Sequence, residues 1–472
     1  MMEHEGFIPA LLDSVAARGP EADTLHLYDG QQLTHISSAQ FIKDVLTATG
    51  YFKSLGVCAQ HIALAAPNSY RWLVIFYGII ASGNVAVPLN PELPAELLKE
   101  HCALTDVSMV YAEEPLLPHI PALDSHRLMQ AVPIVREDVY PARPEDTAVL
   151  MMTSGTTGKS KAVELTHENM YHCMTSPDGV FHTPDAQVAQ IVLPMFHIGG
   201  LRGATSMLYM GKTVCLGRGV RYLFEEMAVF NPTYLSLVPS VVESIAKICR
   251  FAKTPEERQK YFGQRFRRTC AGGAGIKPEI CRYLVEQGFI LDTSYAMTES
   301  SGVGTWGVWD EAHPGSIGKF NERIQCQIRD GELLFKGPAV MKGYYKDPEA
   351  TAQILEDGWL HTGDMGYRDE SGNYYITGRK KNVIILSNGE NVNPEEVESS
   401  LTRCPAIPEC MVYSDGKGIC ADIYTTDPDS ASAFIRTYNE EMPKYRQVYK
   451  VQFYAEPLEK TGSGKIKRKE NK

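Results

Sequence analysis

Apolar and polar positions alternate along the chain in two rhythms, one helical and one extended. Phe7 to Ala17 places Ile8, Leu11, Leu12 and Val15 on one side of a helix. Thr24 to Tyr28 and Gln31 to Ile36 flank Asp29-Gly30, a strong hairpin signal. Ser37 to Leu55 then reads as an amphipathic helix stopped by Gly56. His61 to Ala66 reads as a short buried strand, Ser69 to Ser82 as an apolar helix closed by Gly83, and Val85 to Pro88 as the next strand. Strand, helix and parallel strand in this order predict a βαβ unit.

The rhythm resumes further on. Strands are predicted at Gln190–Leu193, Thr213–Leu216, Tyr234–Val238, Arg268–Ala271 and Ile290–Ser294, with helices at Leu201–Tyr209, Arg221–Phe230 and Pro278–Gln287. In such sheets ligands gather at the carboxyl ends of strands. Three loops fall there: Thr153–Lys161, Gly272–Gly275 and Tyr295–Glu299. From about Gly315 the pattern shifts to short strands and turns, at Ile324–Ile328, Glu332–Phe335 and Tyr374–Ile376. The polar run Gly378–Asn382 is a candidate linker. Beyond it come a helix at Pro394–Leu401, strands at Cys410–Tyr413 and Ile419–Tyr424, and a helix at Ala431–Met442. The expected fold class is α/β: a large N-terminal domain with parallel βαβ sheets and a small β region, followed by a small mobile C-terminal α+β domain.

Bulk properties narrow the function classes. A chain of 472 residues exceeds one ordinary core, so two or more domains are expected. The formal charge of −11 argues against a nucleic-acid binder that relies on a global positive field. The eleven cysteines show no CxxC pair and no framework, which predicts reduced, mostly buried thiols and a cytoplasmic setting. The N-terminal stretch has early acidic residues and lacks a basic region followed by an apolar one, so no signal peptide is expected. The strongly apolar run from Trp72 to Ala81 is too short to span a bilayer.

The stretch Thr153–Lys161, TSGTTGKSK, follows the apolar run Ala148–Met152. A Gly/Ser/Thr loop after a strand suits an anion, because backbone N–H groups converge on phosphate oxygens and hydroxyls add donors. A lysine adds a point charge. Gly158-Lys159-Ser160 imitates the end of a Walker A motif, but Thr153 stands where the first glycine should be. A plain surface loop is the alternative for this stretch taken alone.

Seven segments together resemble the adenylate-forming superfamily of acyl-CoA synthetases, peptide-synthetase adenylation domains and firefly luciferases. They are TSGTTGKSK, LPMFHIGG (Leu193–Gly200), GGAGI from Gly272, YAMTES (Tyr295–Ser300), WLHTGD (Trp359–Asp364), ITGRKKNVIILSNGENVNPEEVE (Ile376–Glu398) and EKTGSGKIKR (Glu459–Arg468). They occur in the family's order over nearly the whole chain. Ser160 replaces a usual proline, Ala296 the glycine of YGxTE, and Asn382 a frequent aspartate.

The resemblance implies a two-step reaction. A carboxylate attacks the α-phosphate of ATP to give an acyl-adenylate and pyrophosphate, and a thiol then displaces AMP. It implies that Thr153, Ser154, Gly155, Thr156, Thr157, Gly158 and Lys161 hold the phosphates. Glu299, helped by Thr156, would bind Mg²⁺, an oxygen-only site that suits this ion. Thr298 would touch the α-phosphate, Gly273, Ala274 and Tyr295 the adenine, and Asp364 and Arg379 the ribose and phosphate. Lys465 would neutralise the charge developing during adenylation. Lys381 would be a hinge, and Gly389 would open a passage for pantetheine. The implied domains are 1–379, a hinge at 380–381, and a lid at 382–472. Each residue has a plainer alternative: a turn for Asp364, core for Tyr295, a linker salt bridge for Arg379 and a solvated basic tail for Lys465.

The resemblance implies that His197 stands where amino-acid-activating relatives usually carry an aspartate-containing motif to pair the α-amine; FHIGG has no carboxylate, so a plain carboxylic acid, fatty or aryl, is expected. His197, Gly200, Val238, Gly302, Gly304 and Trp306 are candidate walls of the acyl pocket; His197 is otherwise a hydrogen-bonded core histidine. CoA is the expected thiol, with the phosphopantetheine of a separate carrier protein as the alternative. An inactive nucleotide-binding or scaffold homologue is a different class, and intact Glu299, Asp364, Arg379 and Lys465 argue against it.

Overall fold

The computed structural model describes residues 6–112, 120–154, 160–176, 183–273, 275–386, 390–460 and 466–469. The chain divides into two compact units. One comprises Met1–Cys326 with Phe335–Leu360, the other Gln327–Leu334 with His361–Lys472.

The first unit holds two large sheets. The nine-stranded sheet has the spatial order Lys319–Phe320, Thr305–Val308, Ile290–Tyr295, Arg268–Ala271, Tyr234–Leu237, Val188–Gln190, Thr213–Leu216, Asp23–Tyr28 and Leu33–Ser37. From Ile290–Tyr295 to Asp23–Tyr28 the neighbours run parallel, and antiparallel strands close both edges. The six-stranded sheet runs Gly343–Tyr344, Ser160–Thr166, Thr147–Ser154, Val85–Pro88, His61–Ala65 and Val107–Ala112. The α/β class expected from the sequence is therefore present: both sheets have parallel centres, and in the six-stranded sheet the edge strand Val107–Ala112 is parallel as well.

Local sequence explains why the main elements start where they do. The hydroxyl of Ser37 accepts the amide of Gln40 and caps the helix Ser38–Ser54; Ser69 caps Tyr70–Ala81 through Trp72 in the same way. Tyr70–Ala81 is almost wholly buried, so its apolar run reflects burial on all sides and not a membrane span. Among the described residues no helix is long and apolar enough to cross a membrane. Buried aromatic and aliphatic residues such as Phe262, Phe266, Leu235, Leu291 and Ile245 fill the space between helices and the nine-stranded sheet. Across that sheet's centre, Arg268 clamps Asp292 on the adjacent strand through two hydrogen bonds of 2.7 and 2.9 Å. Both side chains are buried, and the paired geometry satisfies charges that would otherwise be costly there.

The second unit contains the antiparallel pair His361–Arg368 (the larger part of the strand Trp359–Arg368) and Tyr374–Arg379. It continues into a three-stranded sheet, Glu409–Ser414, Ile419–Tyr424 and Val448–Tyr454. Helices Pro394–Leu401 and Pro428–Glu441 accompany this sheet, and Val397, Leu401, Val412, Ile423, Ile435 and Val448 build its core. The polar run read as a linker ends one strand at Arg379 and forms a short turn over Lys380–Asn382.

Candidate active site

The carboxyl ends of parallel strands bring two of the three predicted loops together. Leu237, Ala271 and Thr293 lie in register on adjacent strands. Val238, Gly272 and Ser294 therefore follow at one edge. Gly273 has a φ of +80°, with open space where a Cβ would project, and Ala274 lies outside the described residues. Tyr295 packs edge-on against Phe335 at 5.8 Å, and its amide is held by the Thr305 hydroxyl. It is half-buried, so one part of the ring is core and another part meets the edge.

The next turn is unusually constrained. Thr298–Ser300 is a single tight turn, after which Ser301 (φ 54°) and Gly302 (φ 72°) are both left-handed. Two consecutive left-handed residues reverse the chain sharply, and the Ser301 hydroxyl fixes the reversal by donating to the carbonyl of Ala339. Glu299 accepts a 2.8 Å hydrogen bond from the hydroxyl of Tyr344, while its backbone carbonyl accepts from the amide of Met341.

Tyr344 belongs to the other sheet. Its strand pairs with Ser160–Thr166, and the ammonium of Lys161 lies 4.6 Å from the centre of its ring. Thus Lys161, Tyr344 and Glu299 form one contiguous group across the two sheets. Burial, then the neighbouring Glu299 carboxylate, pushes the Tyr344 phenol well up, so it remains a donor at neutral pH.

The phosphate-loop candidate is flanked by two antiparallel strands. Thr153 pairs with Lys161 and Ser154 with Ser160, and the strand Ser160–Thr166 precedes the helix His167–Thr175. Lys161 is therefore presented by a strand and not by a flexible loop. Gly155, Thr156, Thr157 and Gly158 lie outside the described residues. Ser160, the departure from proline, shares a 2.9 Å hydrogen bond with the buried ring of His101. Burial lowers the His101 pKa, so the neutral ring is favoured.

The candidate acyl-pocket residues fall around the first unit's nine-stranded sheet. His197 precedes the helix Ile198–Tyr209 and is exposed, yet enough protein surrounds its recess to lower its pKa by desolvation. This exposure does not fit a core histidine. Asn68 holds the segment before it, donating to the Leu193 carbonyl and accepting from the Met195 amide. Gly200 lines a cavity of about 10 Å³ together with Gln190, Gly203, Met207, Tyr234 and Ser236, room for about one water. A Cβ on Gly200 would lie 2.3 Å from the Pro194 carbonyl, and one on Gly304 2.0 Å from the Tyr295 carbonyl. Backbone close packing thus accounts for both glycines. Gly302 receives the Arg202 guanidinium on its carbonyl, which ties the YAMTES turn to the helix Ile198–Tyr209. Val238 is partly exposed at the start of the helix Pro239–Phe251, and Trp306 stands beside the Arg268 guanidinium.

In the second unit Asp364 and Arg379 are cross-strand partners, with Arg379 Nε 2.7 Å from Asp364 Oδ1. Asp364 is buried, its amide held by the Thr362 hydroxyl. Glu332 accepts from the Gly363 amide and Lys380 and shares a hydrogen bond with the His361 ring, which fixes the HTGD strand on its other side. Lys381 is exposed in the turn after Arg379. Gly389 and Lys465 lie outside the described residues. Lys460 and Ile466, which bracket Lys465, pair as an isolated antiparallel bridge. Arg468 meets Glu398 and Glu395, and Lys469 meets Asp422. These cations are paired and do not form a solvated tail.

Two residues that hold the site escaped the sequence reading, Tyr344 and Asn68. Neither belongs to a charged or glycine-rich motif. Their roles arise from long-range pairing that local pattern does not encode.

A sequence model of AMP-binding enzymes matches residues 12–345. The oxalate–CoA ligase of Arabidopsis thaliana is 29% identical over 508 aligned positions, covering 98% of this chain and 97% of that protein. The o-succinylbenzoate CoA synthetase of Bacillus subtilis, solved with its acyl-adenylate intermediate, superposes with a TM-score of 0.83 at 26% identity, covering 97% of this chain and 96% of the other. Its complex with ATP and a magnesium ion gives a TM-score of 0.82 at 26% identity, with coverages of 97% and 98%. With a family match over most of its length and the motifs in place, the chain belongs to the AMP-binding enzymes, the adenylate-forming family of acyl-CoA ligase type.

Proposed function

We propose that this chain joins a carboxylic acid, aliphatic or aryl, to CoA in two steps, releasing pyrophosphate and then AMP. The observation that carries the reading is the gathering of Lys161, Tyr344 and Glu299 where a turn beyond one sheet meets two strands of the other. A cation and a carboxylate spaced by a neutral donor suit a polyphosphate with its counter-ion. CoA is the acceptor in this reading, and nothing observed favours a carrier protein.

The first step brings two anions together, so positioning and charge neutralisation dominate its barrier. Lys161 and the amides and hydroxyls of Thr153, Ser154 and the following loop hold the β- and γ-phosphates. Thr298 meets the α-phosphate, and Tyr295 with Gly273 takes the adenine. Glu299 offers the hard oxygen donor that Mg²⁺ requires, and Tyr344 keeps that carboxylate aimed; the bound ion supplies charge neutralisation on the phosphates. Asp364 accepts the ribose hydroxyls, and Arg379 orients Asp364. Lys465 neutralises the carboxylate and the α-phosphate as the new bond forms. In the second step the CoA thiol attacks the acyl carbonyl and AMP leaves; Lys381 is the hinge and Gly389 the passage for the pantetheine arm.

The test is product analysis with ATP, Mg²⁺, CoA and a panel of aliphatic, aryl and dicarboxylic acids. Acyl-CoA and AMP in equal amounts for at least one acid support the proposal. ADP in place of AMP, or no thioester with any acid, refutes it.

A further inference from the structure

We propose that Asp23, His26 and His35 form a binding site for a divalent transition-metal cation of the zinc class, separate from the Mg²⁺–ATP chemistry. The site sits on the hairpin of Asp23–Tyr28 and Leu33–Ser37, at the edge of the nine-stranded sheet. His26 and His35 are direct cross-strand partners, with ring centres 4.3 Å apart. In a regular strand Asp23, three residues before His26, would face the opposite side. The register changes between Asp23 and Leu25, so one extra residue is inserted there. That bulge returns Asp23 to the face of the two imidazoles. Thr24, the inserted residue, is fully buried and hydrogen-bonded to the Ser38 hydroxyl at 2.8 Å, which locks the bulge.

The resulting geometry suits a shared cation. Asp23 Oδ2 lies 2.9 Å from His26 Nε2 and 2.8 Å from His35 Nδ1. One ligand atom from each residue falls within 4.8 Å of the others. Two imidazole nitrogens and a carboxylate oxygen select borderline cations such as Zn²⁺, Ni²⁺ or Co²⁺, whereas Mg²⁺ prefers oxygen alone. The half-exposed Asp23 and His35 leave a solvent side for water ligands. Arg18, the nearby cation, donates to the Asp23 carbonyl together with Thr213, on the backbone side. A cation here would fasten the edge strand to its neighbour and discourage pairing of that edge with another chain.

The experiment is calorimetric titration of ZnCl₂ into the chelator-treated full chain in excess MgCl₂, with thermal melts in parallel. The wild type should bind one Zn²⁺ more than the H26Q/H35Q variant and gain melting temperature on binding, a gain the variant lacks. Asp23→Asn should weaken that event by more than about tenfold. The double variant's ATP–pyrophosphate exchange without zinc should match the wild type and so verify folding; if it does not, the D23N titration decides. Equal zinc stoichiometry in the wild type and the double variant, unchanged affinity in Asp23→Asn, or no uptake by the wild type, overturns the proposal.

Discussion

Glu299 sits in a tight turn beyond a strand end, half-buried, with its carboxylate met by the Tyr344 hydroxyl. Asp364 lies inside a ten-residue strand, buried, and is paired with Arg379 on the neighbouring strand. One carboxylate is aimed by a contact between two sheets, the other by strand register. A carboxylate at a turn is open to an ion and phosphates at little cost to the fold. A carboxylate within a strand is rigidly placed but also part of the unit's own structure. With the roles proposed for these two carboxylates, the two units should differ in how closely function and stability are coupled.

The largest effect should separate the two half-reactions. Lys465→Ala should slow adenylate formation by about a thousandfold, as expected for loss of a group that stabilises developing charge, and spare thioester formation from supplied acyl-adenylate. Rapid-quench assays of each half-reaction check this; equal loss in both would remove the division of labour. Glu299→Gln should reduce adenylation about a hundredfold while leaving the melting temperature nearly unchanged. A large drop in melting temperature would make Glu299 a structural residue and erase the contrast with Asp364.

Asp364→Asn should act on both axes. The KM for ATP should rise about tenfold, and urea unfolding should show a loss of order 1 kcal/mol, modest because the Arg379 side chain is 43% exposed. A rise in KM with no loss of stability would show that register does not depend on this pair. Tyr344→Phe, which removes only the hydroxyl that aims Glu299, should lower kcat about fivefold at unchanged stability. An unchanged kcat, with an unchanged dependence on Mg²⁺ concentration, would show that Glu299 needs no such guide.

Much of this was legible in the sequence where burial and pattern coincide. The strands Val85–Pro88 and Thr213–Leu216 fall within their predicted bounds because each is a largely apolar run beside turn residues, and Arg268–Ala271 because Gly272-Gly273 stops it. The strand Trp359–Arg368 was not predicted, since four of its inward positions are Leu360, Thr362, Asp364 and Gly366, mostly polar or without a side chain. Hydrophobic periodicity cannot register a strand whose buried positions are mostly polar or lack a side chain. Ser160 and Lys161, the start of the strand Ser160–Thr166, fall in the predicted loop Thr153–Lys161 because they are polar and continuous with TSGTTGKSK. Its ladder partners, Thr147–Ser154, hold it extended despite that start. The motif residues at and beyond one strand's end, Tyr295 to Glu299, were legible as a group, whereas Tyr344 was not. Its role depends on a strand pairing with residues far away in sequence.

The account's central claim is that an acid is activated as an adenylate before any thiol takes part. Acid-dependent exchange of labelled pyrophosphate into ATP, in the complete absence of CoA, tests it most directly. The account predicts exchange with at least one carboxylic acid, dependent on Mg²⁺ and abolished in Lys465→Ala. Exchange that appears only when CoA is added, or that is absent for an acid the enzyme converts to a thioester, would contradict it.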